Sequence, residues 1–304
     1  MRAQAIDQAV GASVHFKCEH LQHTGSFKFR GASHAVSLLT DDCLGVATHS
    51  SGNHGAALAC AARQRGLIAH VVMPDNAVST KVDAVRAHGG QVHFCQPTQA
   101  AREAGLADLI AQGLEPVPPY DDDRIILGQG SCALELIDQV PDLSAVFVPV
   151  GGGGLIAGTA LALMNAAGRP KVVGTEPLGA DDTWRSLQAG ARVQDHHPDT
   201  IADGLRALVG VRNLDVIEQQ VSHIVRVSEE AIVHAMVLIW QHLKQVVEPS
   251  AAVALAGLLA DRERWQGQTV CVVLSGGNLA VQPLLERAYP KQPQAEPPGS
   301  GPSP

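Results

Sequence analysis

With 304 residues, 45% of them apolar, the chain can bury one large core or two intermediate ones. A formal charge of −8 and a pI near 5.9, with no basic run, argue against phosphate-backbone binding, so no nucleic-acid partner is expected. There is no apolar run of bilayer length and no basic-then-apolar leader, and the six cysteines (18, 43, 60, 95, 132 and 271) include no C-x-x-C pair; we expect a cytoplasmic protein without a membrane partner.

The first informative stretch is HTGSFKFRGA, residues 23–32, where Lys28 lies between Phe27 and Phe29 in an otherwise small-residue turn. Such a lysine is either a snorkelling side chain at a helix start or an amine set in an apolar wall. From residue 44 the text alternates short β-branched runs with helical patterns. LGVATHS, LIAHVVMP and QVHFCQP read as strands; residues 52–66, 79–90 and 98–113 read as helices. Ser79 and Thr98 are expected N-caps, and Gly89-Gly90 and Gly113 are expected stops.

A second series follows: AVFVPV, four glycines, LIAGTALALMNAAG and KVVGTEP. It closes with a long helix over 228–247, an Ala-rich helix from Ser250 and the strand TVCVVLSGGN. Two α/β layers with mostly parallel sheets therefore share the chain. Residues 289–304, rich in Pro, Gly and Ser, are expected to be a disordered tail.

Gly151, Gly152, Gly153 and Gly154 lie between a buried strand and a helix start, where backbone N–H groups can converge on one phosphate. Their spacing matches neither G-x-G-x-x-G nor G-x-x-x-x-G-K-[ST], which argues against a nicotinamide-dependent oxidoreductase. The turn of Ser50, Ser51, Gly52, Asn53 and His54 offers hydroxyl, amide and backbone donors, or is simply a capped turn. LSGGN places Ser275 at another strand end, where open sheets bind ligands. A desolvated, neutral Lys28 beside a phosphate cradle is what a Schiff base with pyridoxal phosphate requires.

TGSFKFRGA, SSGNHG, PVGGGG, TIADGL and LSGGN occur in the order found in pyridoxal-phosphate enzymes of fold type II, and the chain resembles the serine racemase and serine/threonine dehydratase group from about Val14 to Leu285. The resemblance implies a two-domain α/β fold, each domain a mostly parallel twisted sheet flanked by helices. Residues 1–44 and 123–288 would form the larger, cofactor-binding domain and 45–122 the smaller, substrate-closing one. Lys28 would carry the cofactor and act as the proton-transfer base, with Phe27 beside the ring. Asn53 would bond the 3′ oxygen, Gly151 to Gly154 the phosphate, and Ser275 would face the pyridine nitrogen.

The same resemblance assigns the substrate carboxylate to the turn from Ser50 through Ser51, Gly52 and Asn53 to His54, and sets Ser51 opposite Lys28 as the second proton donor of a racemase. Arg102 would sit at the pocket mouth, suited to a second carboxylate. Glu176, Asp182 and the carbonyl of Ala180, in TEPLGADDTW, would hold Mg²⁺, Ca²⁺ or Mn²⁺. The expected reaction is β-elimination from serine, threonine or 3-hydroxyaspartate to a 2-oxo acid and ammonia, with serine racemisation, in a homodimer. A mainly racemising enzyme, a cysteine-synthase-like β-replacement enzyme and a silent ligand-binding protein are the alternatives. His196 and His197 read as exposed loop residues. Compared with the group, the chain is expected to start late, without a first strand and helix, so a nucleotide effector site that draws on them is not carried over, and no C-terminal regulatory domain is expected.

Overall fold

The computed structural model describes residues 1–50 and 52–279; Ser51 and the tail expected at 289–304 lie outside the described residues. The chain opens with helix α1 (Gln4–Val10), strand β1 (Ser13–Lys17) and helix α2 (Lys28–Ser37). A first alternating run follows: β2 (Val46–His49), α3 (Asn53–Gln64), β3 (Ala69–Pro74), α4 (Ser79–Ala87), β4 (Gln91–Cys95), α5 (Gln99–Ala111) and the short β5 (Glu115–Pro116). The long α6 (Asp123–Gln139) leads into β6 (Ala145–Pro149), α7 (Gly154–Leu163), β7 (Lys171–Pro177), α8 (Asp182–Ala189) and α9 (Val211–Gln220). β8 (His223–Val227), α10 (Glu229–Leu238), α11 (Pro249–Asp261) and β9 (Thr269–Val273) complete it.

Among the described residues the strands form two sheets, ordered β1-β9-β6-β7-β8 and β4-β3-β2-β5, and every ladder between them is parallel. Parallel strands covered on both faces need continuous apolar runs, and β6 and β9 have them: all of β6 and four of the five residues of β9 are buried. α11 is buried from Pro249 to Leu258 and packs across β6, β7, β8 and β9. Its Ala-rich sequence lets a helix that is apolar all round approach a sheet closely. α3 has the same character under the smaller sheet, buried from His54 to Ala62.

α2, expected with the larger layer, buries Phe29, Ala32, Ala35 and Val36 in one cluster with Leu58, Val71 and Met73 of the four-stranded side. Across its other face Arg30 joins Glu19 (Nε–Oε2 2.6 Å) and Glu135 of α6 (Nη1–Oε1 2.7 Å), and Glu135 also accepts from Lys17 of β1 at 2.5 Å. Three local expectations are corrected. Val78 rather than Ser79 precedes α4, and Ser79 is its first helical residue, whereas Thr98 does cap α5 by accepting from Ala101 N–H at 3.2 Å. The helix expected over 228–247 ends as α10 at Leu238, passes through a wider π-turn over Ile239–Leu243 and stops at Lys244, whose φ is +58°. His196 is not an exposed residue: its ring is 8% exposed against Asp182, while His197 is 91% exposed.

Candidate active site

The turns that follow β2, β6 and β9, at the carboxyl ends of their strands, carry the Ser50–Asn53 segment, the glycine run and Ser275. The turn before α2 is stitched to the last of these. Phe27 N–H donates to Ser275 O at 3.0 Å, Gly277 N–H to Gly25 O at 2.9 Å, and Asn278 Nδ2 to Thr24 O at 2.7 Å. Thr24 is held at φ +60°, a left-handed conformation unusual for a β-branched residue and typical of segments that the surrounding structure constrains.

This fixes Lys28 at the first position of α2. Its Nζ donates to Pro119 O at 2.7 Å and lies 5.0 Å from the Phe27 ring centroid and 6.0 Å from that of Tyr120. Burial lowers its pKa from 10.5 to about 8, against the opposing pull of the Glu248 charge, so a usable share of the amine is neutral near physiological pH.

The glycine run is a cradle that side chains would fill. A Cβ on Gly152 would sit 2.3 Å from Cγ of the Tyr120 ring, and Gly153, at φ +87°, turns the chain into α7. Gly151 and Gly154 are buried beside them. No side chain caps α7, so its first N–H groups are left for an anion. Amine, aromatic wall and anion cradle fit a phosphorylated aromatic aldehyde.

Asn53, the first residue of α3, donates its Nδ2 to both oxygens of Glu248, at 3.0 and 3.1 Å, and accepts from Asn278 Nδ2 at 2.9 Å. Glu248 was not among the expected site residues because VVEPS forms no recognisable motif. The available signal was an acidic residue directly before a helix that is apolar on every face. Its carboxyl is 5% exposed, and burial pushes its pKa up to about 7.

Ser50 is half-buried and accepts from Gly52 N–H at 3.3 Å, Gly52 precedes α3, and Ser51 lies outside the described residues. Ser275 is buried at the end of β9. His54, expected in the turn, lies inside α3, 2% exposed, with Nε2 at 2.9 Å from Val117 O and Nδ1 unpartnered. Burial, with Lys28 nearby, lowers its pKa to about 3 and keeps the ring neutral. Arg102 is half-buried on α5; its Nε reaches the O of Thr98, the cap of that helix, at 3.4 Å, and its charge is felt at His49.

Glu176, Ala180 and Asp182 are all buried. Glu176 accepts from the N–H groups of Thr183 (3.1 Å) and Trp184 (2.9 Å), and Asp182 Oδ2 from Val209 N–H (2.8 Å). Asp182 Oδ1 has no hydrogen-bond partner and faces His196 Nδ1 at 3.6 Å. Burial, then the Asp182 charge, raises the Glu176 pKa to about 8, and burial raises that of Asp182. No group of three or more His, Cys, Asp or Glu side chains is arranged for a metal among the described residues. A cation here would draw on these two carboxylates and on main-chain or water oxygen, a hard donor set.

Comparison with known proteins agrees with this chemistry. The chain is 45% identical over 284 residues to a β-hydroxyaspartate dehydratase of Paracoccus denitrificans, covering 92% of this chain and 90% of that protein. It is 42% identical over 287 residues to a serine racemase of Dictyostelium discoideum, covering 92% and 88%. The structure of maize serine racemase superposes with a TM-score of 0.91 at 39% identity, covering 95% of this chain and 90% of the other. A family model described as pyridoxal-phosphate dependent enzyme matches residues 1–276, and the chain belongs to that family.

Proposed function

We propose that the protein eliminates the β-hydroxyl of a hydroxy amino acid, giving a 2-oxo acid and ammonia, and also racemises serine. The observation that carries this reading is the partly buried, readily neutralised Lys28 amine in an aromatic wall near a glycine cradle. When bound, pyridoxal phosphate supplies the electron sink that makes the substrate Cα–H acidic. Lys28 then removes that proton, the Ser50–Asn53 turn holds the substrate carboxylate, and Asn53, oriented by Glu248, fixes the ring oxygen. Ser275 would face the ring nitrogen as a neutral, hydrogen-bonding partner. Ser51 serves the face opposite Lys28 and gives racemisation.

The 45% identity to a β-hydroxyaspartate dehydratase supports 3-hydroxyaspartate as the preferred substrate, with serine and threonine as lesser ones. Arg102 is the cation assigned to the second carboxylate from its place in the sequence. Glu176, Asp182 and the Ala180 carbonyl would hold Mg²⁺, Ca²⁺ or Mn²⁺ as a structural ion. The division into a larger domain and a smaller, closing one at residues 45 and 122 belongs to this reading, as do a cytoplasmic location and a homodimer. The exposed apolar side chains of Val233, Val237 and Trp240, spaced along α10 and its π-turn, suit an interface between copies.

The test is incubation of the cofactor-loaded protein with serine, threonine and threo-3-hydroxyaspartate in both configurations, following 2-oxo acid and enantiomer formation. Lys28→Ala should abolish both products, and borohydride should fix the cofactor to Lys28 in the unsubstituted protein. Ser51→Ala should lose racemisation while keeping much of the elimination. Absence of any 2-oxo acid from all substrates overturns the reading.

A further inference from the structure

One ion pair near the cofactor cradle is not used by the chemistry above. Lys81, in the first turn of α4, pairs with Asp203, which opens the short turn Asp203–Leu205. The two come from different layers. α4 packs against α3 and β4 of the four-stranded side, whereas the Asp203 turn is tied to α11 of the five-stranded side by Gly204 N–H donating to Ser250 Oγ at 3.0 Å.

The pair's position follows from its neighbours. A Cβ on Gly204 would lie 3.7 Å from Glu248 Oε1, and a Cβ on Gly151 would meet Leu205 Cα at 2.9 Å. The charges of Asp203, Lys81 and Lys28 all reach the Glu248 carboxyl. The bridge therefore spans the layers beside Asn53, Glu248 and the glycine cradle.

The pair is also easily exchanged. The Lys81 and Asp203 side chains are 31% and 42% exposed, so water screens their attraction, and replacing one carboxylate by another costs little. Lysine suits such an exchange, being a point charge on a flexible four-carbon stem. Arg102, by contrast, turns its Nε back to the main chain of Thr98, the cap of its own helix.

We infer that Lys81 is a specificity-determining residue, which exchanges Asp203 for the distal carboxylate of a dicarboxylic hydroxy amino acid as the two layers close on it. Serine has no distal carboxylate and leaves the Lys81–Asp203 pair intact. The inference rests on the proposed elimination reaction and puts Lys81, in place of the Arg102 assigned from sequence position, as the residue that selects the dicarboxylic substrate.

The experiment compares Lys81→Gln, Lys81→Arg, Asp203→Asn and Arg102→Gln in the cofactor-loaded enzyme. Kinetics are measured on threo-3-hydroxyaspartate and serine. Calorimetry measures binding of malate and 3-hydroxypropionate, which have no amine and differ in the distal carboxylate. Lys81→Gln should lower kcat/KM for hydroxyaspartate about ten- to a hundredfold more than for serine, the range expected for a charge-assisted bond, and weaken malate but not 3-hydroxypropionate. Lys81→Arg should keep much of the preference, and Asp203→Asn, by removing the competing carboxylate, should tighten malate binding. Parallel losses on both substrates, unchanged malate affinity, or a preference abolished by Arg102→Gln alone would overturn the inference. If no substrate is turned over, the proposed function fails, and malate binding still decides the role of Lys81.

Discussion

Replacing Glu248 by Gln tests how the site holds Asn53. Asn53 Nδ2 shares its N–H between the two Glu248 oxygens, at 3.0 and 3.1 Å. The Asn53 amide cannot flip to suit a new partner, because its oxygen accepts from Asn278 Nδ2, which also donates to Thr24 O. Gln at 248 offers one oxygen and one NH₂, so one bond is lost and two donors face each other. A lost bond to a charged acceptor costs about 1.5–3 kcal/mol, or roughly ten- to a hundredfold in affinity for a ligand held by Asn53.

The effect should depend on pH. The Glu248 carboxyl has its pKa raised from 4.5 to about 7 by burial, so above that pH it is a double acceptor, and below it the protonated acid resembles an amide. Spectrophotometric titration of the cofactor-free protein with pyridoxal phosphate should therefore show a gap between wild type and Glu248→Gln that opens as pH rises through about 7 and narrows below it. A gap of constant size, or none, would refute the reasoning.

Arg30→Met should lower folding stability by about 3–5 kcal/mol in chemical denaturation, because it strands the buried carboxylate of Glu19 without its cation. In protein stripped of divalent ions, Glu176 has its folded pKa raised from 4.5 to about 8, so the native state binds more protons than the unfolded chain between those values. Stability conferred by the protonated acid is complete below about 4.5 and is lost as pH rises toward about 8. Chelated protein should accordingly melt lower across that window, with Mg²⁺ or Ca²⁺ restoring the melting temperature most at its alkaline end. Glu176→Gln should flatten the pH dependence, and a melting temperature indifferent to both chelator and pH would count against the buried carboxylate pair.

Much of the fold was legible because β-branched runs alternate with glycine-punctuated helical patterns, and the glycine run could be read as an anion cradle from its lack of Cβ atoms alone. Lys28 stood out for a similar reason, being a charge set between two aromatic rings. The features that escaped depend on tertiary neighbours. Glu248 is one acidic residue in an unremarkable stretch until Asn53, nearly two hundred residues earlier in the chain, is brought against it. His196 is buried by Asp182, and His54 by its place on a helix whose faces are all covered. Local sequence did not exclude Ser79 as a cap either; the α4 turn simply begins one residue earlier.

The pairing of β1 with β9, Ser13 beside Thr269, bears on how the chain is made. The four-stranded sheet uses residues 46–116 alone and can assemble while synthesis continues. The five-stranded sheet cannot, since β1 must wait for nearly the whole chain before its neighbour exists, and such distant parallel contacts form slowly. On the ribosome, apolar Val14 and Phe16 of β1, and Ile6 and Val10 of α1 beside them, would thus lack their native sheet neighbour until synthesis has passed residue 273.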